Sequence, residues 1–358
     1  METRNIHQSL HLHEEITEEI LSRLPVKSLL RFRCVSKAWR SLIDSKRFIK
    51  MHYQNSTRNP SLARHKVLLL KYVGVATLEL TLVQRSVLDK SENQVVELDF
   101  PISHNSIVGC CNGLVCLVRN RQFVLWNPST RISKKLPHLD DLDDYDDYGD
   151  NRAFDSCGFG WDESSGDYKV FATATVCAWN RSDNGKAIAM MYSLKRDSWK
   201  EVKGWDSWKK TNGISILGDG MTMGMLASGS LHWEMCDRRG VVAFDLKREV
   251  IGAVELPECS EGCRWLGIGV IGECLSAYYR REYSSCVEIW MKKKESWEKV
   301  VVLDQLCYPL HISPALAPFW GGGFLLIKIG NLMFFYGKGI RVMVSDVYIE
   351  SLVSPLEA

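Results

Sequence analysis

The sequence predicts a multi-domain α+β protein in which a small helical domain at the N-terminus is followed by a larger, mainly β domain. Apolar residues recur at helical spacing between residues 14 and 52, and short apolar runs alternate with turn residues from residue 67 onward. Aromatic residues also recur at near-regular intervals in the second part. A chain of 358 residues is long enough for two unequal domains.

The helical pattern begins at a cluster of acidic residues that suits the N-terminal end of a helix dipole. Ile16, Ile20 and Leu24 follow at i, i+4 and i+8, and Pro25 is expected to end this first helix. Three further short helices are predicted: one through Leu29, Leu30 and Phe32, one capped by Ser36 that contains Trp39, Leu42 and Ile43, and one through Phe48, Ile49 and Met51.

Composition shifts along the chain set the expected domain boundaries. The helical domain covers residues 1–52, a polar linker covers 53–66, the β domain covers 67–350 and a short tail covers 351–358. Helices this short, in about forty residues, make a very small core, near the lower size limit for independent stability.

The β domain repeats one hairpin. YSLKRDSWKEV (192–202) and WMKKKESWEKV (290–300) each place a tryptophan seven residues after an aromatic across a charged turn. One aromatic marks each repeat, with gaps of 54, 66, 52, 46 and 45 residues, at Tyr72, Trp126, Tyr192, Phe244, Trp290 and Phe335. A period of roughly 45 to 50 residues is typical of four-stranded propeller blades, so about six blades are predicted. A large β-sandwich is the alternative.

Composition limits the partners and the compartment. Lys and Arg (45) nearly balance Asp and Glu (43), so the chain has no overall field that would attract nucleic acid or an anionic membrane. We find no signal segment that would indicate export and no apolar run long enough to indicate a membrane span. The 12 cysteines are therefore expected to be reduced thiols, and the compartment to be the cytoplasm, the nucleus or both.

Several motifs resemble active or metal sites without the context that those sites need. Residues 267–272 read GIGVIG, the dinucleotide fingerprint, but strand-like runs follow them where a helix is required. The pairs Cys110-Cys111, Cys259-x3-Cys263 and His232-x3-Cys236 approach metal-ligand spacing, yet packing in the core is the simpler expectation. The acidic run 140–150 lacks the ligands of a calcium loop, and basic residues between 22 and 50 suit a solvated face better than nucleic acid. No catalytic residue, metal or cofactor is predicted.

The residues 14–43, EEITEEILSRLPVKSLLRFRCVSKAWRSLI, strongly resemble the F-box of plant F-box proteins. The second part resembles the F-box associated (interaction) domain, a kelch-like propeller, through GCCNGLVCL (109–117), LWNPSTR (125–131) with KLP (135–137), GFGWD (158–162) with DYKV (167–170), GSLHW (229–233) and AFDL (243–246). Their order along residues 12 to 350 makes the resemblance specific. One position departs from the pattern, because His13 stands where such F-boxes usually have proline after the leucine.

This resemblance implies the substrate receptor of an SCF-type ubiquitin ligase, in which the F-box docks a Skp-type adaptor, the adaptor joins a cullin, and the β domain holds an unknown protein target. The interface carried over from the family consists of Leu12, Ile16, Ile20, Leu24, Pro25, Leu29, Leu30, Val35 and Trp39. Pro25 and Leu29 are the favoured contacts, and each residue could instead belong to the core of the small domain. A domain with apolar residues on several faces is expected to bury some of them against a partner.

Two alternative functions remain open at this point. The chain could bind the adaptor without a cullin and act as a scaffold, or its propeller could be an enzyme that carries an F-box for its own regulation. The target itself is not predicted. The loops 140–150, 183–186 and 204–212 are candidate target contacts because recognition residues concentrate on loops, and the acidic loop 140–150 would suit a basic target surface.

Overall fold

The computed structural model describes residues 13–58, 65–73, 77–84, 94–97, 101–102, 106–119, 121–139, 156–176, 186–207, 222–235, 240–259, 262–282, 287–294, 296–303, 315–316, 325–329, 332–336 and 343–356. Four helices come first, and 23 strands follow in the described residues. No helix among these residues has the length and apolar character that a membrane span requires.

The helices are α1 (Glu14–Ser22), α2 (Val26–Phe32), α3 (Lys37–Ile43) and α4 (Lys46–Arg58). Pro25 lies at the N-cap of α2, after the end of α1, where its missing N–H removes no helical bond. Ser36 caps α3 as predicted, because its hydroxyl oxygen accepts the N–H of Trp39 at 3.1 Å.

Residues 53–58, predicted as part of the linker, are instead the last turns of α4. The polar residues there do not loosen the helix because they bind to α1. Asn55 donates a side-chain N–H to the hydroxyl of Ser22 at 2.9 Å, and Ser56 is buried. The first residue that would interrupt a helix is Pro60.

The strands form four-stranded antiparallel units that match the predicted repeat. The first three units are β4 to β7 (Ser106–Cys111, Leu114–Arg119, Gln122–Asn127, Ile132–Lys135), β8 to β11 (Ser156–Asp162, Asp167–Val176, Lys186–Ser193, Ser198–Glu201) and β12 to β15 (Thr222–Ala227, Ser230–Glu234, Val241–Asp245, Val250–Val254). The fourth unit is β16 to β19 (Cys263–Ile271, Cys274–Arg281, Val287–Lys293, Ser296–Leu303). Parallel pairing of β8 with β12 joins the second and third units into one eight-stranded sheet.

The remaining strands close the ring. They are β1 (His65–Val73), β2 (Thr77–Gln84), β3 (Gln94–Glu97), β20 (Ala315–Leu316), β21 (Leu325–Ile329), β22 (Leu332–Tyr336) and β23 (Met343–Ile349), in one sheet of order β20-β21-β22-β23-β1-β2-β3. This sheet contacts β16 through β20 and β4 through β23, while β4, β8, β12 and β16 contact one another in succession. The result is a propeller-like β domain, and it excludes the sandwich alternative.

The two copies of the predicted hairpin form the third and fourth strands of their units but differ in register. Tyr192 on β10 pairs with Trp199 on β11, whereas in β18 and β19 Trp290 pairs with Lys299 and Trp297 pairs with Lys292. The indole N–H of Trp199 donates to the carbonyl oxygen of Pro137 at 2.8 Å, and that of Trp297 donates to Glu255 at 2.8 Å. Each tryptophan therefore ties the outermost strand of its own unit to the chain that leaves the preceding unit.

The helical domain buries Leu21, Val26, Leu29, Ile43 and Phe48, and the cluster includes one residue from the far end of the chain, Leu352. Its side chain is 6% exposed. We call residues 351–355 the C-terminal clasp. Predicted as a tail, this segment is instead packed between the two domains.

The clasp is bound to the β domain by Asn127 at the end of β6. The side-chain N–H groups of Asn127 donate to the carbonyl oxygens of Ser351 at 2.9 Å and Val353 at 2.7 Å. Gly113 lies beside the same segment with a φ of +80°, and a Cβ at that position would be 2.2 Å from the hydroxyl oxygen of Ser351. Glycine is therefore required there for both conformation and space.

Candidate functional site

The helical domain exposes three large apolar side chains that its own core does not use. Ile16 (51% exposed) and Ile20 (49%) lie one turn apart on α1, and Val35 (60%) lies between α2 and α3. Exposure of this kind on a very small domain is typical of a surface that a partner covers. We call these residues the exposed apolar patch.

The other predicted interface residues are less accessible. Leu24, Pro25, Leu30 and Trp39 are half-buried, and Leu12 falls outside the described residues. Leu29, one of the two favoured contacts, has 0% exposure and packs in the helical core, so it has no surface to offer an adaptor. The helical repeat in the sequence does not show which apolar residues face the core and which face solvent. It therefore does not separate Leu29, which lies in the core, from the exposed residues.

His13 does not prevent helix formation where proline is usual. It lies at the N-cap of α1 with φ −52° and ψ 139°, values that proline also adopts, and its carbonyl oxygen accepts the N–H of Thr17 at 3.0 Å. The helix begins at the next residue, Glu14.

Ion pairs connect the helices around this patch. Glu18 on α1 pairs with Arg47 on α4, and Arg33 after α2 pairs with Asp44 after α3, with the Arg33 Nε donating at 2.6 Å. Both arginines are partly exposed to solvent, so these pairs contribute little to the stability of the domain.

One end of the propeller axis lies against the helical domain. Tyr53 on α4 borders a cavity of about 660 Å³ whose other walls include Asn112, Ser228, Gly229 and Glu273, residues of the turns that join the first and second strands of three units. Burial, with the nearby Cys111 and Glu273, raises the pKa of the Tyr53 phenol well above its ordinary value. This face of the propeller is therefore partly covered by α4.

The acidic residue deepest in this cavity wall, Asp162, is already bound within the protein. Its carboxylate accepts hydrogen bonds from the hydroxyls of Ser164 at 2.7 Å and Ser165 at 2.6 Å, and from Lys169 at 2.9 Å. Burial opposes ionisation of Asp162, but these three donors outweigh it and lower its pKa. Lys169 also donates to the carbonyl of Leu246 at 2.6 Å, so the pair links two units.

The opposite face carries the connections between units. In each four-stranded unit the first strand begins, and the fourth strand ends, at the end away from Tyr53. The predicted target loop 140–150, residues 183–185 of the second loop, and residues 208–212 of the third fall outside the described residues. The strands that flank these three connections meet them at this opposite face.

The glycine fingerprint and His232 lie in strands and turns of the propeller, whereas Cys259 and Cys263, expected in the core, are only half-buried. Gly267 and Gly269 lie within β16, and Gly272 forms the turn to β17, so the fingerprint is a β-hairpin. His232 is 5% exposed, and burial lowers the pKa of its imidazole to about 4. Cys236 falls outside the described residues.

The structure brings one polar cluster together that sequence spacing alone did not complete. The thiols of Cys259 and Cys263 and a carboxylate oxygen of Glu288 all lie within 4.8 Å of one another. Glu288 is 25 residues beyond Cys263 and lies two strands away, on β18. Only the pairing of β16, β17 and β18 reveals the third member.

Taken together, a small helical domain with an exposed apolar patch, fixed to one face of a propeller, defines a protein-binding receptor of two modules. Comparison with known families agrees: residues 9–51 match the F-box domain, and residues 62–317 match the F-box associated beta propeller domain. The chain belongs to the family of F-box proteins that carry this propeller domain. Its role is F-box substrate recognition, and its F-box is of the kind that binds a Skp-type adaptor.

Relatives from Arabidopsis thaliana share this organisation. The chain is 28% identical to the F-box/kelch-repeat protein At3g23880, in an alignment covering 99% of this chain and 98% of that protein. It is also 28% identical to the F-box protein CPR1, over 81% of this chain and 72% of that protein. Among solved structures, TolB from Acinetobacter baumannii aligns with a TM-score of 0.43 and 13% identity over 86% of this chain and 71% of that one, a likeness too low to bear on function.

Proposed function

We propose that the chain is the substrate receptor of an SCF-type ubiquitin ligase, non-catalytic in itself, that brings one protein target to a cullin through a Skp-type adaptor. The observation that carries the proposal is the exposed apolar patch on an F-box that the C-terminal clasp connects to the propeller. A receptor needs both features, because the adaptor must find a free surface and the target must be held at a fixed distance from it.

The target is proposed to bind the face of the propeller opposite Tyr53. The face near Tyr53 is bordered by α4, and the turns there line the cavity beneath the helices. The opposite face carries the connections between units, including the long connection between β7 and β8. Loops on a rigid scaffold are the usual carriers of binding specificity.

The adaptor contact is tested by placing a charge in the exposed apolar patch. Ile16→Asp with Ile20→Asp is expected to reduce co-purification of a Skp-type adaptor from plant extract at least tenfold, because both side chains are about half exposed before binding. Val250→Asp is the matched control, since Val250 is an equally exposed apolar residue (54%) on an outer strand of the propeller. Equal adaptor recovery from both variants would refute this interface.

The same pull-down separates the ligase receptor from the scaffold. With the proteasome inhibited, the receptor predicts adaptor, cullin and at least one further protein enriched by inhibition. Adaptor without cullin would favour the scaffold. We place the protein in the cytoplasm or nucleus, and the localisation of a fluorescent fusion tests that placement; signal confined to another compartment would exclude it.

A further inference from the structure

We infer that Cys259, Cys263 and Glu288 form a binding site for a thiophilic divalent metal ion, with Zn²⁺ the ion that suits the donors best. Their two sulfur atoms and one carboxylate oxygen converge to within 4.8 Å of one another. Thiolates select against Mg²⁺ and Ca²⁺, which prefer oxygen ligands, and two sulfurs with one carboxylate match the mixed donor sets of zinc. This inference does not depend on the proposed ligase function.

The spacing is close to what a bound ion requires. Two sulfurs bonded to one tetrahedral zinc at about 2.3 Å lie roughly 3.8 Å apart. The three donors therefore need to approach by about an ångström or less. Cys259 can supply this movement because it lies in the connection between β15 and β16, whereas Cys263 and Glu288 are held in paired strands.

The connection that carries Cys259 is pinned on both sides of the site. The carbonyl oxygen of Glu255 accepts the indole N–H of Trp297 at 2.8 Å, and that of Pro257 accepts the Tyr279 hydroxyl at 3.1 Å. On the other side, the carbonyl oxygen of Gly262 accepts a backbone N–H at 2.7 Å. These bonds hold the connection close to Cys263 and Glu288, so only a small movement of the Cys259 side chain is needed to complete the site.

Glu288 is oriented as a metal-binding carboxylate usually is, by hydrogen bonds from its surroundings. It is 0% exposed, and Arg281 donates to one oxygen from Nε at 2.9 Å and Nη2 at 2.8 Å. Lys299 pairs with the other oxygen at 2.7 Å. A carboxylate has about four acceptor positions, so these contacts leave room for an ion.

Binding of a divalent ion leaves the net charge around the site unchanged. Two thiolates and one carboxylate carry three negative charges, the ion carries two positive charges, and Arg281 and Lys299, which contact the carboxylate, add two more. The sum is one positive charge, the same as in the metal-free site with neutral thiols. Three protein ligands leave the fourth position of a tetrahedral ion for water.

The test is titration of the purified full chain, kept reduced and stripped of metal, with Co²⁺ as the spectroscopic probe. The unsubstituted chain is expected to bind one equivalent with the thiolate-to-cobalt absorption of a four-coordinate site, and Zn²⁺ should displace it. Cys259→Ser and Cys263→Ser should each weaken binding at least tenfold and reduce that absorption. Glu288→Gln should weaken binding roughly 10- to 100-fold and keep the sulfur absorption.

Cys274→Ser is the matched control, because Cys274 begins β17 in the same unit but lies at its other end, outside the cluster. It should bind Co²⁺ like the unsubstituted chain. Zn²⁺ should also raise the melting temperature of the unsubstituted chain and leave that of the Cys259→Ser, Cys263→Ser double variant unchanged. Absence of sulfur absorption, or equal binding by the double variant and the control, would overturn the inference.

Discussion

Replacing Leu352 tests whether the C-terminal clasp completes the core of the helical domain. Leu352 is 6% exposed and packs with Leu21, Val26, Leu29, Ile43 and Phe48, although no other residue of that cluster lies beyond α4. Leucine to alanine at a buried position costs about 2–5 kcal/mol, and the connection at a domain boundary can partly collapse, so we expect about 3 kcal/mol for Leu352→Ala.

That loss is large for so small a domain, which has at most a few kcal/mol of its own stability. The helices should therefore exchange their amide hydrogens faster by roughly two orders of magnitude, whereas β4 to β7 should be protected as before. Hydrogen exchange measured by mass spectrometry on peptides from α1 to α4 reports this directly.

Leu356→Ala provides the comparison, because Leu356 is four residues away on the same segment and 60% exposed. Its effect should stay within about 0.5 kcal/mol. If Leu352→Ala leaves helical exchange as slow as Leu356→Ala does, the clasp contributes nothing to the helical core and the reasoning fails.

Three further predictions concern single residues. His13→Pro should stabilise the chain by about 0.4–1 kcal/mol in urea denaturation, because φ is already −52° and proline restricts the unfolded chain; destabilisation would contradict this. Gly113→Ala should lower the melting temperature, since its Cβ would meet Ser351. Gly204→Ala is the control, because Gly204 has a similar φ and nothing within 4 Å of an added Cβ. A larger decrease for Gly113→Ala than for Gly204→Ala is the part due to crowding and not to backbone strain. The pKa of Asp162 is lowered on folding, so its stabilisation is full above about pH 4 to 5 and is lost on further acidification; denaturation from pH 6 to 3 should show a shallower decline for Asp162→Asn.

The sequence predicts local features of this fold well because their causes are local. Ser36 caps a helix through a bond to a residue three positions away, and Pro25 separates two helices by its own chemistry. Trp199 and Trp297 each lie on the fourth strand of a unit. Each donates its indole N–H to the chain that leaves the preceding unit, so the repeat in the sequence reflects a repeated contact. These signals identify the four helices and the kind of β unit without reference to tertiary contacts.

Sequence patterns do not predict features that depend on contacts between residues far apart in the chain. Residues 54–58 look like a linker in composition, and only the contact of Asn55 with Ser22 shows why they are helical. Leu352 follows the last strand and joins a core more than 300 residues earlier. Glu288 is separated from the cysteines that it accompanies by a whole strand. In each case the partner is remote in sequence, so no periodicity can reveal it.

The candidate adaptor surface is also predicted only in part, because the sequence identifies its apolar positions but not which of them are exposed. The helical repeat identifies Ile16 and Ile20 as apolar positions on one face of α1, and both are exposed. The repeat does not separate these two exposed residues from the buried Leu29. A short helix in a very small domain has apolar residues on its inward face and on its outward face. Which of them are free depends on how α2 packs against α3 and α4.

The position of Leu352 has a consequence for the way this chain is made. The helical domain is synthesised first, yet Leu352, which packs in its core, follows β23, the strand that pairs with β1. A chain truncated before Leu352 lacks this part of the helical core. We therefore expect completion of the F-box core to follow synthesis of the propeller rather than precede it.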